Sequence, residues 1–473
     1  MLKKLNTLAM AVAIGLGSSV ALASETDRLM ELLVEKGILT TQEAEAIREE
    51  AKAEKEEQRV PLVGQEWGYE PTAPLNIDEG AGIHVRRFGV ETHDGSERFR
   101  MRGRAQLDFA YQDFDDNMQA VARQSNEFPD YGVILRRVRL GALGLMRERW
   151  EWQIEIDFAE NEVDLANVYM AYLSDHGRFA AGYFKEPFGM EYATSSRYIS
   201  FIERSVPGDA YKVNREPGIM FETIKPNWYW TLGLFGNDLE FDREIEEGYA
   251  INTRGSFAPV LTETSYVHLG AGYNYRKNAF NKGTGEYESV RLRAREGTRA
   301  IDARLIGRDD IEGVSDFTRM NLEFAAGYNS WWVQSEYYRV NLNLDPEKGD
   351  VRVSDDSLTL DGWYVQTGYF LTGERRNYRA FSGDFGQQVP NNNFSPRDGT
   401  WGAFEVAFRY GIGDSREHSR AGRGQKLERY TAGLNWYMTP EVMAKFNVIY
   451  MEGERDNIEG DGWVYGMRLQ YMF

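Results

Sequence analysis

The sequence predicts an all-β fold of the membrane kind: a transmembrane antiparallel β-barrel of about 16 strands, with a short N-terminal periplasmic helical segment. Three observations predict it. Apolar and polar side chains alternate with a period of two through segment after segment from residue 84 onward, which places them on opposite faces of strands. The chain carries 25 Phe, 27 Tyr and 11 Trp, and several of these crowd the ends of the alternating runs, as at Trp228-Tyr229-Trp230 and Trp331-Trp332, where interfacial girdles place them. Polar stretches such as 113–130, 306–316 and 341–358 separate the runs along the whole length. A soluble sandwich shows the same alternation, so it is the aromatic ends and the terminal strand described below that favour a barrel. No stretch beyond the N-terminus approaches the roughly 18 apolar residues of a spanning helix, and mean hydropathy is −0.55; a helical membrane protein is excluded.

The elements follow in chain order. Lys3 and Lys4 precede a short apolar core, Leu8 to Leu16, and Ala21-Leu22-Ala23 offers small residues for cleavage. Residues 1–23 therefore read as an export signal, and with no cysteine in 473 residues the mature chain suits an oxidising Gram-negative envelope. Residues 24–60 read as two helices. Gly37 ends the first, and Thr40-Thr41-Gln42-Glu43 caps the second as a capping box. A sustained heptad is lacking, so a trimerising or wall-contacting stalk and a solvated helix pair both stay open. Pro61, Pro71 and Pro74 mark 61–83 as a linker, and 84–473 is the barrel domain.

Within the barrel domain, Phe99, Met101, Gly103, Ala105, Leu107, Phe109 and Tyr111 alternate with Arg98, Arg100, Arg102, Arg104, Gln106, Asp108 and Gln112. Trp150, Trp152, Ile154, Ile156 and Phe158 repeat the pattern against Glu151, Gln153, Glu155 and Asp157, as do Met320, Leu322, Phe324, Ala326 and Tyr328 against Asn321 and Glu323. The chain ends on Trp463, Tyr465, Met467, Leu469, Tyr471 and Phe473. A last strand with aromatics at the final and third-last positions looks like the signature read by the barrel assembly machinery, which makes Phe473 an assembly signal.

Charge is distributed unevenly. Net charge is −19, against general nucleic-acid binding, yet Arg outnumbers Lys 42 to 13. Arg98, Arg100, Arg102 and Arg104 form a row roughly 20 Å long at about 3.4 Å per residue. Arg291, Arg293 and Arg295 repeat the device against Val290, Leu292 and Ala294, and Arg137 and Arg139 alternate with Val138 and Leu140. Guanidinium groups stay charged and fork toward oxyanions, so such rows form an arginine ladder for anions in a pore. The competing reading is a structural lattice in which the arginines pair with Glu151, Glu155, Asp157 and Glu323. The absence of cysteine removes thiolate metal sites and cysteine nucleophiles. The five histidines, at 84, 93, 176, 268 and 417, form no metal or triad motif, so neither an enzyme, a metal nor a cofactor is expected. Same-face Glu155 and Asp157 read as lumen lining, and Asp113 to Asn117 as a solvated loop rather than a cation site.

Six blocks in order resemble one family, the phosphate-selective porins O and P. They are Gly182 to Glu191 with Ala193 to Arg197, Phe201 to Arg204, Val267 to Arg276, Gly362 to Glu374, Gly433 to Tyr437, and Met467 to Phe473. The resemblance runs from about Gly89 to the C-terminus. It implies a 16-stranded barrel, a homotrimer in outer-membrane lipid, a loop folded inward to narrow the pore, and passage of small phosphate-like anions. It further implies anion-binding roles at the constriction for Arg136, Arg137, Asp164, Ser195, Ser196 and Arg204, and ladder roles for Arg254 and Arg276. Strict alternation lets only one of Arg136 and Arg137 face a lumen. Tyr192 stands where phosphate-selective members carry a lysine. A barrel that tethers the membrane to the cell wall through residues 24–60 is the alternative; steady single-channel conductance separates the two.

Overall fold

The computed structural model describes residue 36 and residues 83–473, apart from 87, 93, 123–128, 238, 240–243, 302, 307–309, 346, 348–356, 416–424 and 456. The chain divides into two compact units after Pro61, and all that follows concerns the second. The export signal expected at 1–23, the helices at 24–60 and nearly all of the linker lie outside the described residues.

Period-two alternation gives long antiparallel strands, and sixteen of them close on themselves. The first five are β1 Arg98–Phe114, β2 Tyr131–Met146, β3 Trp150–Asp157, β4 Asp164–Ser174 and β5 Gly177–Lys185. Next come β6 Arg215–Ile224, β7 Trp228–Phe235, β8 Tyr249–Leu261, β9 Ser265–Lys277 and β10 Val314–Tyr328. The circuit finishes with β11 Trp331–Leu344, β12 Ser357–Phe370, β13 Ala403–Asp414, β14 Gln425–Tyr437, β15 Val442–Arg455 and β16 Ile458–Met472. Each pairs with its neighbour, and β16 pairs with β1 from Gly462 opposite Phe114 to Met472 opposite Arg104. Closure leaves no edge strand, the condition for strands to span hydrocarbon. A hairpin of Ile83–Arg86 and Gly89–Thr92 continues onto Arg98–Arg100, covering the start of β1 that β16 does not reach. At the seam, the Phe473 amide donates to the Gly103 carbonyl at 3.1 Å, and the Gly103 amide returns a bond to Phe473 at 3.0 Å.

The alternation resolves into an apolar outside and a polar inside. On β1, Phe99, Met101, Phe109 and Tyr111 are exposed while Arg102, Arg104, Gln106 and Asp108 are buried. Aromatic rings form two outer belts. Near one rim Trp363, Tyr410, Tyr430, Tyr450, Trp463 and Tyr465 follow one another at centroid separations of 4.8–6.5 Å. Near the other rim stand Trp150 with Tyr172 and Trp331 with Tyr369. Of the aromatic clusters singled out in the sequence, Trp228, Trp230 and Trp331 face out, whereas Tyr229 and Trp332 are buried on the inner side.

Short turns join strands at the rim that carries the C-terminus, such as Asn329-Ser330, where Asn329 takes φ 51°. Long connections lie at the other rim. The exception is 371–402, a long segment at the short-turn rim between β12 and β13. The connections at 186–214 and 278–313 fold into the barrel. The first carries two short helices, α1 Met190–Ala193 and α2 Val206–Ala210. Val206, Ala210, Tyr211 and Val213 of the first loop pack with Val290, Leu292, Ala294 and Ile301 of the second and with Val340, Leu342, Leu358 and Leu360 on the wall. Burying that apolar surface, at roughly 25 cal/mol per Å², holds both loops inside. Gly189, with φ 71°, opens α1 where a Cβ would stand 2.7 Å from the Tyr338 hydroxyl and 2.9 Å from Glu336.

Three expectations are corrected here. Arg291, Arg293 and Arg295 do not lie on a spanning strand. Their alternation is real, but it serves the inward loop: Val290, Leu292 and Ala294 enter its core, and Asp310 takes Arg291 at 2.9 Å and Arg293 at 2.6 Å. The loop drawn at 341–358 is shorter, because β11 runs to Leu344 and β12 starts at Ser357, and the one drawn at 306–316 is only the end of the long connection 278–313, since β10 begins at Val314. Asp115 is a helix cap, its carboxylate accepting from the Met118 amide at 2.5 Å.

Candidate functional site

The inward loop 186–214 and the segment 371–402 meet the wall of β1–β8 around a cavity of about 260 Å³. Its lining carries eleven cationic side chains, ten Arg and Lys185, against five carboxylates, Glu151, Glu155, Glu186, Glu222 and Asp384. Arg102, Arg104, Arg137, Arg139, Ser195, Ser196, Arg204 and Arg254 all reach it. The wall supplies most of the cations, from inward positions on β1, β2, β5, β6 and β8; the loop supplies Arg197, Arg204 and the serines, because α1 and the turn after it are pinned from behind. Glu336 does the pinning. It accepts from the amides of Met190 at 2.8 Å and Glu191 at 2.7 Å, and from the hydroxyl of Tyr338 at 2.9 Å.

Both Arg136 and Arg137 are buried inward, against strict alternation. A β-bulge explains it: Gln106 faces Arg137 while Leu107 faces Leu135, leaving Arg136 as the extra residue. A bulge puts two residues against one and re-aims a side chain. Arg136 donates to Glu203 at 3.0 Å, and Arg137 donates to Gln106 at 2.8 Å and stands 3.5 Å from Glu203. Burial works against a charged Glu203, yet the guanidinium groups of Arg136, Arg137 and Arg468 hold its carboxyl well below the usual carboxylate range.

Ion pairs sort the arginines. Glu155 sits among Arg102, Arg139 and Arg197, at 3.4, 3.4 and 2.7 Å, and Arg139 also reaches Asp157 at 2.7 Å. Arg178 bridges Glu151 and Glu222, Arg254 takes Glu323 in a two-pronged contact, and Arg276 takes Glu186 at 2.7 Å. These form the lattice. Four cavity cations stand outside it. Arg104 donates to the Ser196 hydroxyl at 2.8 Å, Arg204 to the carbonyls of Glu191 and Thr194, and Lys185 to the carbonyl of Tyr192 at 2.6 Å. The Arg215 side chain makes no hydrogen bond or ion pair among the described residues, and its buried Nε has no acceptor. Unpaired guanidinium and ammonium donors beside two serine hydroxyls offer what an oxyanion accepts.

Other expected positions lie elsewhere. Asp164 is exposed at the start of β4 and does not line the cavity. Arg98 turns toward the hairpin, donating to Gly95 at 3.2 Å and lying 3.9 Å from Glu91. Arg100 is half-buried on β1, away from the cavity lining. Arg276 is held behind Glu186. Tyr192, at the family's lysine position, is buried, and Lys185 and Arg204 lie over its ring at 4.6 and 5.2 Å. The position has lost its charge, but two cations flank it.

Sequence reasoning missed Lys185, Arg197, Arg215 and the segment 371–402. That segment enters from the opposite rim: the Phe385 amide donates to Thr194 at 3.2 Å, Arg379 and Asp384 line the cavity, and Arg254 donates to the Ser382 carbonyl at 3.0 Å. Its signal was length, since 371–402 is far longer than any hairpin turn. Lys185 and Arg197 lay inside recognised blocks without being singled out.

A closed sixteen-stranded barrel with a loop folded inward onto a polar cavity is an outer-membrane porin, and its fold and family point to a channel rather than an enzyme. Residues 99–473 match the model of the phosphate-selective porin O and P family, and the chain belongs to that family. It is 27% identical over 446 residues to Porin O of Pseudomonas aeruginosa, covering 84% of this chain and 93% of that protein. An uncharacterised protein of Caulobacter vibrioides is 27% identical over 353 residues, covering 72% of this chain and 66% of its own length. Among solved structures, the outer-membrane channel DcaP of Acinetobacter baumannii shares the fold at a TM-score of 0.50, with 10% identity and coverage of 82% of this chain and 100% of DcaP.

Proposed function

We propose that the pore passes small anions, phosphate or other oxyanions, by passive diffusion through a constriction set by Arg104, Lys185, Arg204, Arg215, Ser195 and Ser196. The observation that carries this reading is that these four cations have no carboxylate partner among the described residues while their neighbours are matched. Each favours an anion by about 1–4 kcal/mol at dielectric constants between water and protein surface, and five lining carboxylates offset part of it. The arginine ladder is therefore mixed: Arg102, Arg139, Arg254 and Arg276 belong chiefly to the lattice, and the unpaired set carries selectivity. Arg136 and Arg137 tether Glu203 and add field at one remove. Asp164 has no part in this constriction. The same reading includes a cleaved export signal at 1–23, a homotrimer in outer-membrane lipid, and insertion by the barrel assembly machinery through Phe473. Reversal potentials across planar bilayers under a potassium chloride gradient test the selectivity. A potential of the sign set by chloride is expected; one set by potassium overturns the reading.

A further inference from the structure

One wall of the cavity is not charged. Phe184 at the end of β5, Met220 on β6 and Tyr169 on β4 form an apolar face toward the lumen, backed by Ala171, Ala180 and Phe235 of the same cluster. Leu143 and Pro187 extend it. A bare tetrahedral oxyanion gains nothing from such a face, and its five heavy atoms fill only part of about 260 Å³, room for about nine waters at ~30 Å³ each. Sites that orient small organic ligands pair a mostly apolar wall with a few convergent polar groups, and this cavity has both.

We infer that the cavity is a binding site for organic oxyanions, carboxylates or phosphate monoesters. The head sits among Arg104, Ser196, Lys185 and Arg215, and a ring-sized apolar body lies on the wall of Tyr169, Phe184 and Met220. This rests on the anion-channel reading and deepens it. The head uses the donors left over by the lattice, and the body displaces water from a face whose one hydroxyl, on Tyr169, is already engaged by Glu151 at 2.9 Å.

The test is block of chloride current through the purified full-length protein in planar bilayers at pH 8, with inorganic, methyl and phenyl phosphate as probes. Half-block by phenyl phosphate is expected at about one tenth of the inorganic phosphate concentration, with methyl phosphate between them. Met220→Gln keeps length and removes the apolar contact; it is expected to weaken phenyl phosphate block severalfold and leave inorganic phosphate unchanged. Should that variant fold poorly, the wild-type series of three probes decides alone. Equal block by the three, or none by any, overturns the inference. The reversal potential then tells which reading fails: an anion-selective pore without discrimination loses only the organic-ligand site, while a cation-selective one loses the anion channel as well.

Discussion

Arg254 and Arg215 line the same cavity and are held in opposite ways. Arg254 is fully buried against Glu323, with Nε and Nη2 at 2.8 and 2.7 Å from its oxygens. Removing one partner strands a buried charge, at a cost of about 3–5 kcal/mol. Arg254→Gln should therefore lower the midpoint of urea unfolding in micelles, whereas Arg215→Gln, which breaks no bond, should fold normally and shift the reversal potential toward zero. A destabilised Arg215→Gln with unchanged selectivity would reverse these assignments. Glu203 adds a pH dependence. Its folded carboxyl titrates well below the usual range, so its anchoring is fully present above the unfolded value of about 4.3 and is lost as pH falls through the lower folded value. The Glu203 anchorage should therefore contribute no change in conductance from neutral pH to about pH 4.5 and a change only below it. Glu203→Gln should remove that acid step; a step that persists places the titration elsewhere.

At the scale of elements, the strands were legible and the loops were not. Period two on β1 and β16 follows from the pleat and shows directly in the residues. The bulge at Arg136 does not, since an extra residue is visible only against the partner strand. The run from Val290 to Arg295 alternates like a strand because its apolar side packs on other loops; tertiary burial imitated membrane burial. Resemblance supplied the inward loop with Ser195 and Ser196, but pairing between distant residues, such as Arg197 with Glu155 at 2.7 Å, carries no local mark. The terminal strand yields a prediction. Deleting Phe473 removes two seam hydrogen bonds and a ring that rests 4.7 Å from Phe88. Each such bond contributes about 0.5–1.5 kcal/mol. Outer-membrane yield should fall; normal yield after the deletion would show that closure does not need the aromatic end.

For the whole molecule, a net charge of −19 coexists with a cation-rich cavity, because the excess of cations is local: eleven cationic side chains meet five carboxylates there, while the surplus acids lie elsewhere in the chain. Bulk composition could exclude nucleic acid but said nothing of the lumen. A closed barrel with every strand paired should give a β-rich circular dichroism spectrum in detergent and migrate differently before and after boiling. A trimer is expected before boiling, and a helical spectrum or a heat-insensitive monomer would contradict this architecture.

The segment 371–402 also bears on the order of events during assembly. Its Phe385 bonds Thr194 across 191 positions of sequence, and the seam pair Arg468 and Asp108 is separated by 360. Contacts of such separation form late, since long chain closures must precede them. A cylinder already sealed would have to admit bulky charged segments through a narrow rim. Filling of the lumen should therefore precede zipping of β16 onto β1, which makes the last step of assembly a checkpoint: a chain whose interior is wrongly packed stalls open, with its edge strands still exposed to whatever holds them.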